Sequence, residues 1–201
     1  MNTEPIIVGN GFDQETYFFN KNENGPLGWA GRIAPEKGLE DAVKVASDLG
    51  EKLLVWGLIQ DKEYASRIEK NFEEGIIEWK GFLPTIKFQE QLGQCRAFIN
   101  TPKWNEAYGN VIVEALACGV PVIAYDLGGP GELIQNGING FLVQPNDLEG
   151  IKKAIELVST IKRRNCRDWF EKNASNKVFA KRVENWINKG LNKNISADFH
   201  N

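Results

Sequence analysis

Histidine is almost missing from this chain: the single one, His200, stands one residue from the end of the 201 residues. Chain ends usually fray, so a histidine general base and a histidine-ligated zinc both drop out of the expected chemistry. Cysteine is sparse and odd in number. Cys95, Cys118 and Cys166 lie far apart, with no spacing of a metal knuckle, a redox pair or a disulfide framework. Cys118 falls in an apolar run and reads as a small buried hydrophobe; a reducing, cytoplasmic setting is the expectation. No apolar stretch reaches the roughly 20 residues of a bilayer-spanning helix, and the polar N-terminus is not a signal peptide, so no transmembrane segment is expected.

Neither sign of charge dominates. With 24 Lys and Arg against 27 Asp and Glu the net charge is −3, and no global field draws the protein onto nucleic acid. An anionic ligand must be held by a few placed cations and backbone donors. Several phosphate and catalytic motifs are absent too: there is no P-loop, no G-x-S-x-G and no D-x-D to hold a metal–nucleotide complex. Gly9-Asn10-Gly11-Phe12-Asp13-Gln14 approaches G-x-G-x-x-G, but it lacks the third glycine and no helical pattern follows it.

What is present is ordinary for a globular chain: 42% hydrophobic and 25% charged residues, enough for one substantial domain or a domain with an appended helix. Residues 1–26 hold the short apolar run Ile6-Ile7-Val8, then Tyr17-Phe18-Phe19 and a polar connector from Asn20 to Pro26. From Leu27 short apolar runs alternate with longer amphipathic stretches, the rhythm of βα units and a parallel sheet. The pattern predicts strands at Leu27–Gly31, Lys52–Trp56, Ile76–Trp79, Arg96–Asn100, Pro121–Tyr125 and Gly140–Val143. It predicts helices at Leu39–Leu49, Lys62–Asn71, Ile86–Gly93, Gly109–Cys118, Gly131–Gln135 and Leu148–Ser159, the last capped by Asp147. After Thr160 the pattern is helical and more charged, with Phe179, Val183, Trp186 and Ile187 striping a final helix.

Open parallel sheets bind ligands outside the carboxyl ends of their strands. Three loops at such ends carry the unusual residues. The first, Gly31 to Gly38, offers Arg32 as a donor fork and Lys37 as a point charge, a pair suited to a diphosphate. From this loop alone, solvated cations paired with Glu36 or Glu40 read equally well. The second runs from Thr101 to Gly109, where a helix start leaves free N–H groups and a positive dipole end. Gly109 lets a ligand approach the backbone; Asn110 and Glu114 share one helical face, and Glu106 lies in the loop before it. One carboxylate can then reach a sugar and the other a ribose. The competing reading has Glu106 complementing the helix dipole and Glu114 in solvent. The third loop, Gly128 to Glu132, is weak evidence because such loops are often only turns.

At these residues the sequence resembles the C-terminal domain of the family 4 (group 1) retaining glycosyltransferases, over nearly the whole chain. The most specific part is an E-x7-E motif, Glu106 and Glu114, set in Glu106-Ala107-Tyr108-Gly109 and Glu114-Ala115-Leu116-Ala117-Cys118-Gly119-Val120-Pro121-Val122. Gly31-Arg32 through Lys37-Gly38 resembles the family's diphosphate loop. The resemblance implies an α/β fold, a Rossmann-like parallel sheet with helices on both faces, forming the C-terminal half of a GT-B enzyme. It implies an interdomain hinge at 1–26, a nucleotide-sugar domain at 27–160, and helices at 161–201 that cross back to an N-terminal acceptor domain.

By the same resemblance Arg32 and Lys37 bind the donor diphosphate and Glu106 the sugar hydroxyls, these three being the catalytic set. Backbone N–H groups around Tyr108, Gly109 and Asn110 hold sugar and phosphate, Glu114 binds the ribose, and Leu83 flanks the base. No metal and no cofactor beyond the nucleotide sugar is implied. Gly9 stands where proline is commoner, and Gly57-Leu58-Ile59-Gln60 lacks a second glycine that many relatives have, which leaves the donor contacts there open. Asn100 to Asn110, together with Trp56 to Asp61, further resembles glucosyltransferases that act on tetrahydrobiopterin with UDP-glucose. The chain alone is expected to bind donor without catalysing transfer. Two other readings stay open: a nucleotide-binding module without transferase activity, and a sugar-nucleotide epimerase on a similar fold.

Overall fold

A computed structural model describes residues 9–198, with side chains to residue 189; the Ile6-Ile7-Val8 run lies outside the described residues. Six strands form one sheet: β1 (Leu27–Ala30), β2 (Leu53–Trp56), β3 (Ile77–Gly81), β4 (Ala97–Asn100), β5 (Val122–Tyr125) and β6 (Gly140–Val143). All neighbours are parallel and the order is β3-β2-β1-β4-β5-β6. β1, β2, β4 and β5 are buried at every residue, as a sheet covered on both faces requires. Each strand lies within two residues of the place its apolar run predicts.

The covering helices are α1 (Leu39–Leu49), α2 (Lys62–Asn71), α3 (Thr85–Leu92), α4 (Asn110–Ala117), α5 (Pro130–Leu133), α6 (Leu148–Leu157), α7 (Arg163–Asn173) and α8 (Asn176–Asp198). Strand side chains alternate between the two faces. Leu53, Val55, Ile99 and Ile123 pack with α1, α2 and α6; Leu54, Trp56, Phe98 and Val122 pack with α3, α4 and α7. Asp147 caps α6 as expected, accepting from the Gly150 N–H at 2.9 Å. All three cysteines are buried and free, and burial pushes their thiols up to about 12.

α7 belongs to this core. Cys166 and Phe170 are fully buried, and so, nearly, are two arginines. Arg163 donates to the carbonyls of Asn20, Cys95 and Gly93, each at 2.8 Å. Arg167 donates to those of Tyr17 at 2.6 Å and Ala117 at 2.8 Å. Guanidinium groups tolerate burial when their N–H groups find acceptors, and here they stitch the segment before β1 onto α4 and α7. On α8 the apolar stripe divides: Phe179 and Val183 are half-buried, whereas Trp186 and Ile187 are exposed.

Candidate functional site

The chain leaves β1 toward β2 and β3 on one side and returns through β4 to β6 on the other. The strand order reverses between β1 and β4, the position where doubly wound sheets open a crevice. The loops leaving these two strands touch. Thr101 Oγ1 donates to the Gly38 carbonyl at 2.8 Å, and the Lys103 N–H donates to the Glu36 carbonyl at 2.9 Å. Gly38 has φ 64°, and a Cβ there would run into the Thr101 carbonyl; only glycine satisfies both demands.

That seam delivers Lys37 to Glu106. The Lys37 ammonium lies 2.6 Å from Glu106 Oε2 and 4.7 Å from the Trp104 ring centroid. Lys37 is therefore not paired within its own loop. Arg32 is: it meets Glu36 Oε1 at 3.2 Å and donates to Gln60 Oε1 at 2.8 Å. The expected pairing with Glu36 therefore holds for Arg32 and not for Lys37.

The third loop does more than turn. The Glu106 N–H donates to the Leu127 carbonyl at 3.1 Å, and the Gly129 N–H to the Glu106 carbonyl at 2.6 Å. A Cβ on Gly128, where φ is 82°, would stand 2.5 Å from the Glu106 carbonyl oxygen, and one on Gly129 would stand 2.5 Å from that of Tyr108. The glycine pair is the surface on which the Glu106–Tyr108 backbone rests. Its signal in the sequence was two glycines following a strand on the same sheet edge as the other two loops.

α4 starts at Asn110, after Gly109 in the left-handed region at φ 95° and with no side-chain cap, so its first N–H groups are open to a ligand. Asn110 Oδ1 accepts from Asn10 Nδ2 at 2.8 Å. One turn on, Glu114 is no solvated surface carboxylate. It is half-buried, it accepts from the Tyr17 hydroxyl at 2.9 Å, and burial holds its pKa above the ordinary value while that hydrogen bond pulls the other way.

Beside α4 opens a cavity of about 300 Å³ whose walls include Arg32, Leu58, Leu83, Phe88, Val111 and Glu114. Three of the expected donor residues, Arg32, Leu83 and Glu114, thus share one cleft, and Lys37 and Glu106 meet on the same strand edge. A Cβ on Gly57 would run into the Gly31 carbonyl, so the first glycine is required. Leu58 only presents its carbonyl to the Ile33 N–H at 2.9 Å, and its side chain walls the cavity. Sequence reasoning passed over Trp104, Gln60 and Tyr17, each of which touches an expected site residue.

A family model described as glycosyl transferases group 1 matches residues 13–191. The chain belongs to this family. An uncharacterized glycosyltransferase of Methanocaldococcus jannaschii is 30% identical over 159 residues, which cover 77% of this chain and 44% of that protein. The capsular polysaccharide biosynthesis glycosyltransferase CapM of Staphylococcus aureus is 27% identical over 164 residues, 76% of this chain and 41% of CapM. The chain thus spans less than half the length of these relatives. Among solved structures, Anabaena HepE in complex with UDP and glucose superposes with a TM-score of 0.78 at 20% identity, covering 89% of this chain and 55% of that one. The α/β fold is that of the GT-B glycosyltransferases. Among the described residues no helix is long and apolar enough to cross a membrane.

In this glycosyltransferase domain a guanidinium, an ammonium and an open helix N-terminus gather along one edge of the sheet. Such a set can hold a diphosphate without a metal ion. The two carboxylates of the E-x7-E motif have different surroundings, Glu106 against the ammonium and Glu114 in the cavity wall.

Proposed function

We propose that this chain is the donor-binding half of a retaining, metal-independent hexosyltransferase that takes glucose from UDP-glucose, with tetrahydrobiopterin as the acceptor, held by a further N-terminal domain. The observation that carries this reading is the meeting of Lys37 with Glu106, on the same sheet edge as a cavity walled by Arg32 and Glu114. The uridine donor is supported by HepE, whose structure holds UDP and glucose on the same fold. The acceptor is supported by the resemblance carried by Asn100–Asn110 and Trp56–Asp61.

As the glycosidic bond breaks, negative charge builds on the leaving diphosphate. Arg32, Lys37 and the N-terminus of α4 stabilise it from fixed positions, the preorganised electrostatic role that lowers such barriers most. Glu106 faces the sugar and balances the oxocarbenium-like charge at its anomeric carbon. Glu114 holds the ribose, and Leu83 flanks the base.

Calorimetric titration with UDP, UDP-glucose, GDP and ADP tests the donor. A uridine preference is expected, and Arg32→Ala should weaken UDP by about 1.5–3 kcal/mol; equal weak binding of all four nucleotides removes the assignment. Labelled UDP-glucose with tetrahydrobiopterin and the full-length enzyme tests the acceptor. A glucosylated pterin is expected. Isomerised nucleotide sugar formed without acceptor would identify an epimerase instead, and binding with no turnover of any kind a bare nucleotide module.

A further inference from the structure

Glu114 is held by a residue outside the sheet domain's own loops. Tyr17, in the segment before β1, donates its hydroxyl to Glu114 Oε1 at 2.9 Å. Among the described residues no other hydrogen bond reaches that carboxylate. The tyrosine is itself fixed from three directions. Its ring meets Phe12 and Phe170 edge-on, at centroid distances of 6.3 and 6.2 Å. Its carbonyl accepts from Arg167 at 2.6 Å, and the same guanidinium donates to the Ala117 carbonyl at the last turn of α4. The residue that holds Glu114 and the helix that carries Glu114 are thus locked to one arginine.

A carboxylate that binds a ribose must keep its charge and its orientation in a place that has lost much of its water. Burial alone works against the first, because desolvation favours the neutral acid, which offers one acceptor fewer to a pair of hydroxyls. A fixed hydroxyl donor on one oxygen restores the anion and leaves the second oxygen for the ligand. It also removes a rotamer search that the ligand would otherwise have to end on binding.

We infer that Tyr17 is a positioning residue for the nucleotide ribose, acting through Glu114: it occupies Oε1 so that the other carboxylate oxygen meets the ribose hydroxyls. This rests on the proposed ribose role of Glu114, and the test separates the two. The donor-site affinity of the full chain for UDP and for 2′-deoxy-UDP is measured by calorimetry in the parent, Tyr17→Phe, Glu114→Gln and the double variant, with circular dichroism confirming that each is folded.

Tyr17→Phe should weaken UDP by roughly fivefold to tenfold, the size of an ordinary net hydrogen-bond contribution, because the ligand loses only the orientation of Glu114 and not a bond of its own. It should also shrink the penalty for the missing 2′-hydroxyl, a coupling that general loosening of the fold would not produce. In the Glu114→Gln background Tyr17→Phe should then add little. If Glu114→Gln leaves UDP and 2′-deoxy-UDP as they were, the ribose assignment itself fails. If Glu114→Gln weakens UDP but Tyr17→Phe does not, or weakens both nucleotides equally, Tyr17 has no positioning role and the inference is overturned.

Discussion

Glu106→Gln should drive the affinities for UDP and UDP-glucose in opposite directions. The Lys37 ammonium lies 2.6 Å from Glu106 Oε2, and both side chains are well shielded, at 18% and 16% exposure. A diphosphate reaching for Lys37 must share it with a carboxylate of its own sign. Exposed ion pairs contribute about 0.2–1 kcal/mol and breaking a buried one costs about 3–5, so this partly buried pair falls at about 1–2 kcal/mol. Glutamine keeps the shape and still accepts from the ammonium, but it carries no charge, which lifts about 1 kcal/mol of that opposition. UDP alone should therefore bind roughly fivefold tighter.

UDP-glucose should respond the other way. It brings the sugar whose hydroxyls Glu106 is proposed to hold, and loss of a charged acceptor costs about 1.5–3 kcal/mol. Set against the gain of about 1, the net loss is about 0.5–2 kcal/mol. The assay is calorimetric titration of both ligands into parent and variant at one ionic strength, since salt screens the term in question. If UDP gains nothing, or both ligands shift by the same factor, then Lys37 does not meet the diphosphate and Glu106 does not meet the sugar.

Three further outcomes are expected. Gly128→Ala places a Cβ 2.5 Å from the Glu106 carbonyl oxygen at a backbone φ of 82°, so it should cost about 1–3 kcal/mol in urea denaturation and should weaken UDP-glucose more than UDP; unchanged stability would show that the loop gives way freely. Arg163→Met strips two buried carbonyls and one half-buried carbonyl of their donor and should lower stability by roughly 3–5 kcal/mol, with a loss below 1 kcal/mol counting against the clamp. Burial raises Glu114 above its ordinary 4.5, so above that pH the folded chain holds a proton that the unfolded chain has released, and this group's contribution falls as pH rises. Denaturation of parent and Glu114→Gln should then favour the variant increasingly as pH rises above the ordinary carboxylate value; a constant gap would mean that the carboxyl is not perturbed.

The strands were legible because a parallel strand buried on both faces is a short apolar run bounded by turns, and Leu53–Trp56 and Val122–Tyr125 carry little else. The site's chemical residues were legible as types at positions: Arg32, Lys37 and Glu106 lie in loops after strand ends, and Glu114 on the helix that follows one of them. Their partners were not. Lys37 had Glu36 and Glu40 at hand in sequence, and nothing local says that its carboxylate stands 69 positions away. That distance is closed by strand order, which brings β4 beside β1, and strand order is a property of packing rather than of any single run.

The two arginines of α7 were hidden for a related reason. A charged helix reads as a solvated face, yet Arg163 and Arg167 are buried, and what satisfies them is backbone carbonyl, to which a sequence assigns no special mark. The same blindness applies to Gly38, Gly57 and Gly128. Each is visible as a glycine, but the reason for it is a carbonyl on a neighbouring loop, at Thr101, Gly31 or Glu106. Loops joined backbone to backbone cannot shift independently, so a substitution at one of these glycines should act on Lys37 and Glu106 as strongly as a change made beside them. In this site the side chains carry the chemistry, and glycines at the seams set the distances between them.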